Sequence, residues 1–290
     1  MSQIVQAGPG TSAEAGTDSA VAIVTAKATR SEKILRIVIP VAMLVLAIVA
    51  WQVYVVAAEV PRYILPSPMD VATALVTDWG TLYPALLVTL RITFTALILA
   101  LIGGVGLAIV LVQSRWVELA LFPFAVIMQV TPIVAIAPLL IIYTPDTQTA
   151  LLICGFLVAF FPILSNMVQG LKSVDHNLLN LFDLYGASRW QQLLYLKIPA
   201  ALPYFMAGLR IGGGLALIAS VVAEFAAGSA GAGSGLAFRL LEAQYRLNMP
   251  RLFAALILLT FTGVAIFAIT SLISWLTLRR WHESAMKREN

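Results

Sequence analysis

Five stretches of this chain run past twenty residues without one Asp, Glu, Lys or Arg: 37–58, 92–114, 119–145, 147–171 and 252–278. A helix needs about 20 predominantly apolar residues to cross a bilayer, so each run is long enough to span. A sixth stretch, 202–223, is interrupted only by Arg210. Charged residues make up 11% of the 290 residues and hydrophobic ones 60%, against roughly 25% and about 45–50% in soluble domains. Such a surplus has no soluble core to hide in, so lipid must solvate much of the surface. Helices satisfy their own backbone polar groups, as lipid demands, and no ten-residue alternation of a β-barrel is present. The reading is an all-α integral membrane protein with six transmembrane helices.

Lysine and arginine placement predicts the orientation. Twelve bases fall on one side: Lys27, Arg30, Lys33 and Arg36 before the first span, Arg115 after the second, Lys172, Arg189 and Lys197 after the fourth, and Arg279, Arg280, Lys287 and Arg288 in the tail. Only Arg62, Arg239, Arg246 and Arg251 fall on the other. Both termini are therefore expected in the cytoplasm. Residues 1–30, rich in Ala, Ser, Gly and Thr, read as a disordered cytoplasmic tail rather than a cleavable signal peptide. Residues 31–282 read as the membrane domain and 283–290 as a cytoplasmic tail. Pro123, Pro132 and Pro138 in the third run and Pro162 in the fourth predict bent helices. The bends fit a lined pathway or packing kinks equally.

The cytoplasmic connection 173–203 is unusual for a membrane linker. A Leu-rich stretch, 177–185, ends at Gly186, a natural left-handed stop. Ser188-Arg189-Trp190-Gln191 then reads as a capping box, and the helix it opens is expected to be interrupted at Pro199. Two short helices would meet at a glycine elbow displaying Phe182, Tyr185 and Trp190. Such anchors suit a protein interface, and equally an interfacial helix pair on lipid headgroups.

The frame of Gly186-Ala187-Ser188, with nine residues between Gly186 and Leu196, then Leu196-Lys197-Ile198-Pro199, resembles the cytoplasmic EAA loop of binding-protein-dependent ABC importer permeases. That loop reads E-A-A, three residues, G, nine residues, I-x-L-P. The continuation through Ala207-Gly208-Leu209-Arg210-Ile211 and Val222-Ala223-Glu224-Phe225, with Leu65-Pro66-Ser67-Pro68 after the first span, is similar to the nitrate/sulfonate/taurine branch. The resemblance covers residues 34–278. It implies the type I importer permease fold in the bacterial inner membrane, and import of a small solute delivered by a solute-binding protein. It also implies a pair of ABC ATPase subunits docked on the loop and a second permease copy, forming a homodimer. Asp183, Tyr185, Gly186, Ala187, Ser188, Trp190, Leu196, Pro199 and Phe182 are the coupling residues it marks. ATP and Mg would sit on the ATPase, leaving this chain without a cofactor or catalysis of its own. Asn180-Leu181-Phe182 stands where the family has Glu-Ala-Ala, so the usual acid is missing, with Asp183 adjacent.

Four of the polar side chains within the spans are candidates for function: Gln129, Thr131, Asn166 and Arg210. They can line a translocation path; Arg210 can equally snorkel to headgroups, and the others bond between helices. Gly208-x-x-x-Gly212 predicts close helix packing. Glu224, closing the fifth span, reads as a capping or interhelical partner. Gly228 to Gly235 lacks the Lys-Ser/Thr of a phosphate loop and reads as a flexible bend before an interfacial or docking segment, 236–249. His176 and His282 are isolated, and Cys154 reads as an inert buried thiol, so no metal or nucleophile constellation is expected. Nucleic acid is not needed to explain the net charge of +4. A self-sufficient carrier or channel is the competing class. Missing repeats and the lack of buried acids for ion coupling weigh against it.

Overall fold

The computed structural model describes residues 30–228 and 233–279, with the side chains of 30–34, 36 and 37 excepted. The sequence readings for the N-terminal tail, Arg280, His282, the C-terminal tail and residues 229–232 fall outside the described residues, as do the side chains of Arg30, Lys33 and Arg36. The described residues divide into two units, one before residue 55 and one from residue 55 onward. In the first unit, α1 (Arg30–Ala57) is an apolar helix carrying Pro40, and its stretch Val38–Ala57 has the length and hydropathy of a span.

All regular secondary structure among the second unit's described residues is helical. α2 (Pro68–Thr77) starts at a full capping box: the Asp70 N–H donates to the Ser67 hydroxyl and the Ser67 N–H to the Asp70 carboxylate. Pro68 at the first helical position loses nothing there, because that N–H has no partner in any helix. Leu65-Pro66-Ser67-Pro68 is thus a helix start. α3 (Trp79–Gln113) follows directly and is 35 residues long.

The third span departs from expectation. α4 (Arg115–Val130) and α5 (Ile133–Tyr143) are separate helices bent by 98° across Thr131-Pro132. Pro132 has no N–H to continue α4, and its ring disfavours helical geometry at Thr131, whose ψ is 124°. Among the described residues five helices have the length and composition to cross alone, and a sixth crossing is possible only as this broken pair.

α6 (Thr147–Lys172) is capped by Asp146, which accepts from the Thr149 N–H and hydroxyl. These bonds hold the Asp146 carboxyl below its ordinary range. After α7 (His176–Leu184) comes a long rod made of α8 (Arg189–Gln192), a π-helical segment (Leu193–Lys197) and α9 (Ile198–Ala227). α10 (Leu236–Tyr245) and α11 (Met249–Leu278) complete the unit.

The core lies where α9 packs along α6, with α3 on the other flank of α6. Glycines bring the backbones together: a Cβ on Gly208 would lie 3.1 Å from the Asn166 Cβ and 3.2 Å from the Pro162 carbonyl, and one on Gly212 3.0 Å from Ile163. In lipid such close approach is the main source of helix association, so the expected small-residue packing is realised against α6. Ile163, Leu164 and Leu171 are fully buried in this seam.

Candidate coupling loop and the polar groups of the bundle

The α7–α8 elbow is a closed C-cap. The Ala187 N–H donates to the Phe182 carbonyl at 2.9 Å and the Gly186 N–H to the Asp183 carbonyl at 3.0 Å, the two bonds of a Schellman motif. Gly186 adopts φ +67°, the left-handed geometry the motif requires. Ser188 then opens α8 with the expected capping box: its hydroxyl accepts from the Gln191 N–H, and the Gln191 side chain accepts from the Ser188 N–H. Gln192 donates to the Asp183 carboxylate at 2.6 Å and reaches the Ala187 carbonyl at 3.4 Å. Asp183, the acid beside the missing glutamate, therefore braces the elbow from within the chain.

The elbow displays an apolar surface. Tyr185 is 80% exposed and Trp190 65%; Leu178, Leu181, Leu184, Leu194 and Tyr195 are exposed too. Leu178, Leu181 and Tyr185 recur at helical spacing on α7, so they share one face. Phe182, Leu196 and Pro199 are half-buried, and Leu193 is buried beneath.

Pro199 does not stop the helix, contrary to the sequence reading. The rod continues from Arg189 to Ala227 because residues 193–197 widen into a π-turn, in which the Ile198 N–H donates to the Leu193 carbonyl. Proline lacks an N–H and would crowd the carbonyl four residues before it, here Tyr195; the wider turn removes that conflict. Ser188, Trp190 and Leu196 consequently ride on the same rod as the span that carries Arg210.

The four candidate polar groups of the spans are not joined to one another by any hydrogen bond or ion pair among the described residues. Gln129 and Thr131 are exposed at the α4–α5 break, where the Thr131 hydroxyl donates to the Ile127 carbonyl at 2.7 Å. Asn166 donates to the Pro162 carbonyl at 2.8 Å, which satisfies an acceptor within its own helix. The Arg210 guanidinium lies 5.7 Å from the Phe267 ring centre, a cation–π contact linking α9 to α11.

Glu224 is 4% exposed, and it is the missing cap of α10. Gly235 gives α10 no side chain to cap it; instead the Ala237 N–H donates to Glu224 Oε2 at 3.3 Å and the Leu236 N–H to Thr89 Oγ1 at 2.9 Å. A Cβ on Gly235 would come within 2.4 Å of Thr89 Oγ1 and 2.6 Å of the Glu224 carboxylate. Three distant segments therefore meet in one polar knot. The sequence marks Glu224 as a capping or interhelical partner, but gives no signal for Thr89.

The two ends of the bundle treat charge differently. At the end where α3 begins, Arg251 pairs with Asp78 at 2.6 Å, Arg239 and Arg246 both pair with Glu242 at 2.9 Å, and Arg62 pairs with Asp70 at 3.3 Å. The hydrogen bond from Arg239, ahead of the charges around it, keeps the Glu242 carboxyl below its ordinary range. At the loop end only Lys172 is paired, with Glu118. Arg115, Arg189 and Lys197 have no acidic partner among the described residues.

An all-helical chain with several spans, a fractured third crossing and an aromatic elbow on a rod continuous with the membrane bundle has the build of a multi-pass transport subunit. Comparison with known proteins makes the class specific. Residues 100–283 match the family described as binding-protein-dependent transport system inner membrane component, and the chain belongs to that family. It is a permease subunit of an ABC importer, a multi-pass protein of the inner membrane. It is 35% identical to the riboflavin transport system permease protein of Chloroflexus aurantiacus over 83% of this chain and 89% of the relative. A probable ABC transporter permease protein of Haemophilus influenzae is 31% identical over 84% and 97%. The taurine transport system permease protein of Escherichia coli is 31% identical over 65% and 71%. The family works with an ATPase and a solute-binding protein, so the carrier reading is set aside.

Proposed function

We propose that residues 173–203 seat an ABC ATPase on the cytoplasmic face and pass its movement into the bundle through the rod Arg189–Ala227. The observation that carries this reading is the unbroken helix: the aromatic elbow at Trp190 and the membrane stretch around Arg210 belong to one stiff element. Displacement of the elbow then tilts or rotates the span, biasing two packings of the same bundle. Leu178, Leu181, Tyr185 and Trp190 enter the ATPase groove, and Asp183 holds the elbow's shape instead of pairing across the interface. Hydrolysis of ATP, with Mg, takes place on that separate subunit, and two ATPases serve two copies of this permease.

Both termini lie in the cytoplasm, with the α10 end outside. The lysine and arginine count supports this: twelve lie on the loop side and only Arg62, Arg239, Arg246 and Arg251 in the loops of the α10 end. The solute passes near the α4–α5 break, where Gln129 and Thr131 are exposed, while Asn166 and Arg210 act mainly in packing. Relatives named for riboflavin and for taurine are similar in sequence to this chain over 83% and 65% of its length, which fits selection of cargo by the solute-binding protein.

Disulfide trapping tests the docking. Cys154 is buried, so Trp190→Cys supplies the accessible thiol. Inside-out vesicles carrying this variant and an ATPase with one groove cysteine are expected to give an ATP-sensitive crosslink. Labelling of residue 190 only from the outer face would overturn the reading.

A further inference from the structure

Beside the coupling loop lies a cleft of about 580 Å³, within the range of ligand pockets, about 300–1,000 Å³. Arg115, Lys172 and Lys197 line it with a single acid, Glu118. Glu118 is already engaged by Lys172, so Arg115 and Lys197 bring two uncompensated positive charges to one cavity. Its wall includes the first turn of α4, a 16-residue helix whose Ser114 cap makes no side-chain hydrogen bond. The positive end of that helix dipole adds to the attraction for an anion. Val112, Leu171 and Val174 form an apolar floor.

The cleft opens onto an apolar stripe. Trp116, Leu119, Pro123, Ile127 and Val130 recur at three- and four-residue spacing along one face of α4, and all are exposed. At 1.5 Å per residue the stripe is about 21 Å long, more than one leaflet of a core about 30 Å thick. Leu119 belongs to both features, lining the cleft and lying second in the stripe. A cationic cavity continuous with an apolar track matches a ligand with an anionic head and long apolar tails. A soluble anion would leave the track uncovered, and an acidic protein side chain would do the same.

We propose that this cleft is a binding site for an anionic phospholipid of the inner leaflet, its phosphate held by Arg115 and Lys197 and its acyl chains lying along α4. Basic pockets between helices on the cytoplasmic side have this recognition chemistry. The leaflet assignment rests on the orientation proposed above; the binding itself does not, so the two fail separately. Lys197 closes the π-segment, and the bound headgroup therefore touches the rod between elbow and span.

The test is native mass spectrometry of the delipidated full chain in neutral detergent, titrated with phosphatidylglycerol, with phosphatidylcholine of the same acyl chains, and with inorganic phosphate. Phosphatidylglycerol is expected to be retained over phosphatidylcholine. Arg115→Gln with Lys197→Gln should weaken it about 25-fold, near fivefold for each cation. Arg115→Lys with Lys197→Arg should restore it, which excludes misfolding as the cause. Equal retention of the two lipids, or unaltered phosphatidylglycerol binding by the glutamine variant, would overturn the proposal. Displacement of the lipid by millimolar phosphate would assign the cleft to a soluble anion and also overturn it. So would loss of ATPase co-purification in the glutamine variant with lipid adducts unchanged, because the cations would then serve that interface.

Discussion

Substitution of Gly186 separates the geometry of the elbow from its chemistry. An added Cβ at this position meets nothing within 4 Å, so Gly186→Ala introduces no clash and acts on backbone preference alone. With φ at +67°, an L-residue costs about 1–2 kcal/mol relative to glycine, roughly a 5- to 30-fold loss of the left-handed conformer. If the ATPase binds only the closed elbow, its affinity falls by up to that factor. Asn tolerates the left-handed region and should cost less than Ala. Proline fixes φ near −65° and removes the N–H that reaches the Asp183 carbonyl, so both Schellman bonds are lost. The expected order of ATPase affinity is Gly, Asn, Ala, then Pro with no measurable binding. Biolayer interferometry of the ATPase against nanodisc-embedded permease reads this series directly. Equal affinities across all four, or an order that follows side-chain size, would refute the elbow as the recognition element.

Three further outcomes are expected. Thr89→Ala removes the acceptor of the Leu236 N–H and Glu224→Ala that of Ala237; each should cost about 1–2 kcal/mol, read as a lowered Tm in detergent, with protease susceptibility rising first in α10. Gly212→Val forces a branched side chain against Ile163 and should cost about 1–3 kcal/mol, whereas Gly214→Val, with open space around it, should be near neutral in the same unfolding assay. The Glu242 carboxyl titrates below its ordinary 4.5 when folded, so its contribution is complete above that value and declines as pH falls through the lower folded one. Solvent screening limits the effect to about 1 kcal/mol or less, and the Tm gap between wild type and Glu242→Gln should shrink below about pH 4.5.

Features whose cause is local were legible in the chain. Gly186, the Ser188 box and four of the five charge-free runs need only neighbouring residues to specify them, and these appear where the pattern placed them. The Gly208–Gly212 pair was legible as a packing face, though not which helix it meets. What escaped was decided by competition between elements. Pro199 reads as a stop because proline removes one hydrogen bond, yet a five-residue π-turn absorbs the defect when tertiary packing favours a continuous rod. Pro132 reads as one of several kinks but produces a 98° fracture, while Pro123, Pro138 and Pro162 remain inside helices. At the fracture Gln129, Val130 and Thr131 are exposed, and within α6 the Asn166 side chain adds a bond to the Pro162 carbonyl. Thr89 gave no signal, because its partner is 147 residues away.

The charge arrangement connects these observations. At the α10 end every arginine of the loops is held by an acid, and the Glu224–Thr89 knot fastens α10 to α3 and α9; that end is built to be rigid. At the elbow end Arg115, Arg189 and Lys197 have no acidic partner among the described residues, the Tyr185 and Trp190 side chains lie open, and the braces are the Schellman bonds, the Ser188 box, the Gln192–Asp183 bond and the Lys172–Glu118 pair. A bundle clamped at one end and unsatisfied at the other deforms at the unsatisfied end when a partner loads it. The continuous rod then determines where the deformation goes: past Gly208 and Gly212, whose contacts with α6 leave no room to slide independently, toward the knot at Glu224. If the ATPase docks at the elbow as proposed, its movement would shift the α6–α9 pair against its neighbours, toward the fractured α4–α5 crossing, where polar side chains are exposed and Pro132 has already broken the backbone ladder.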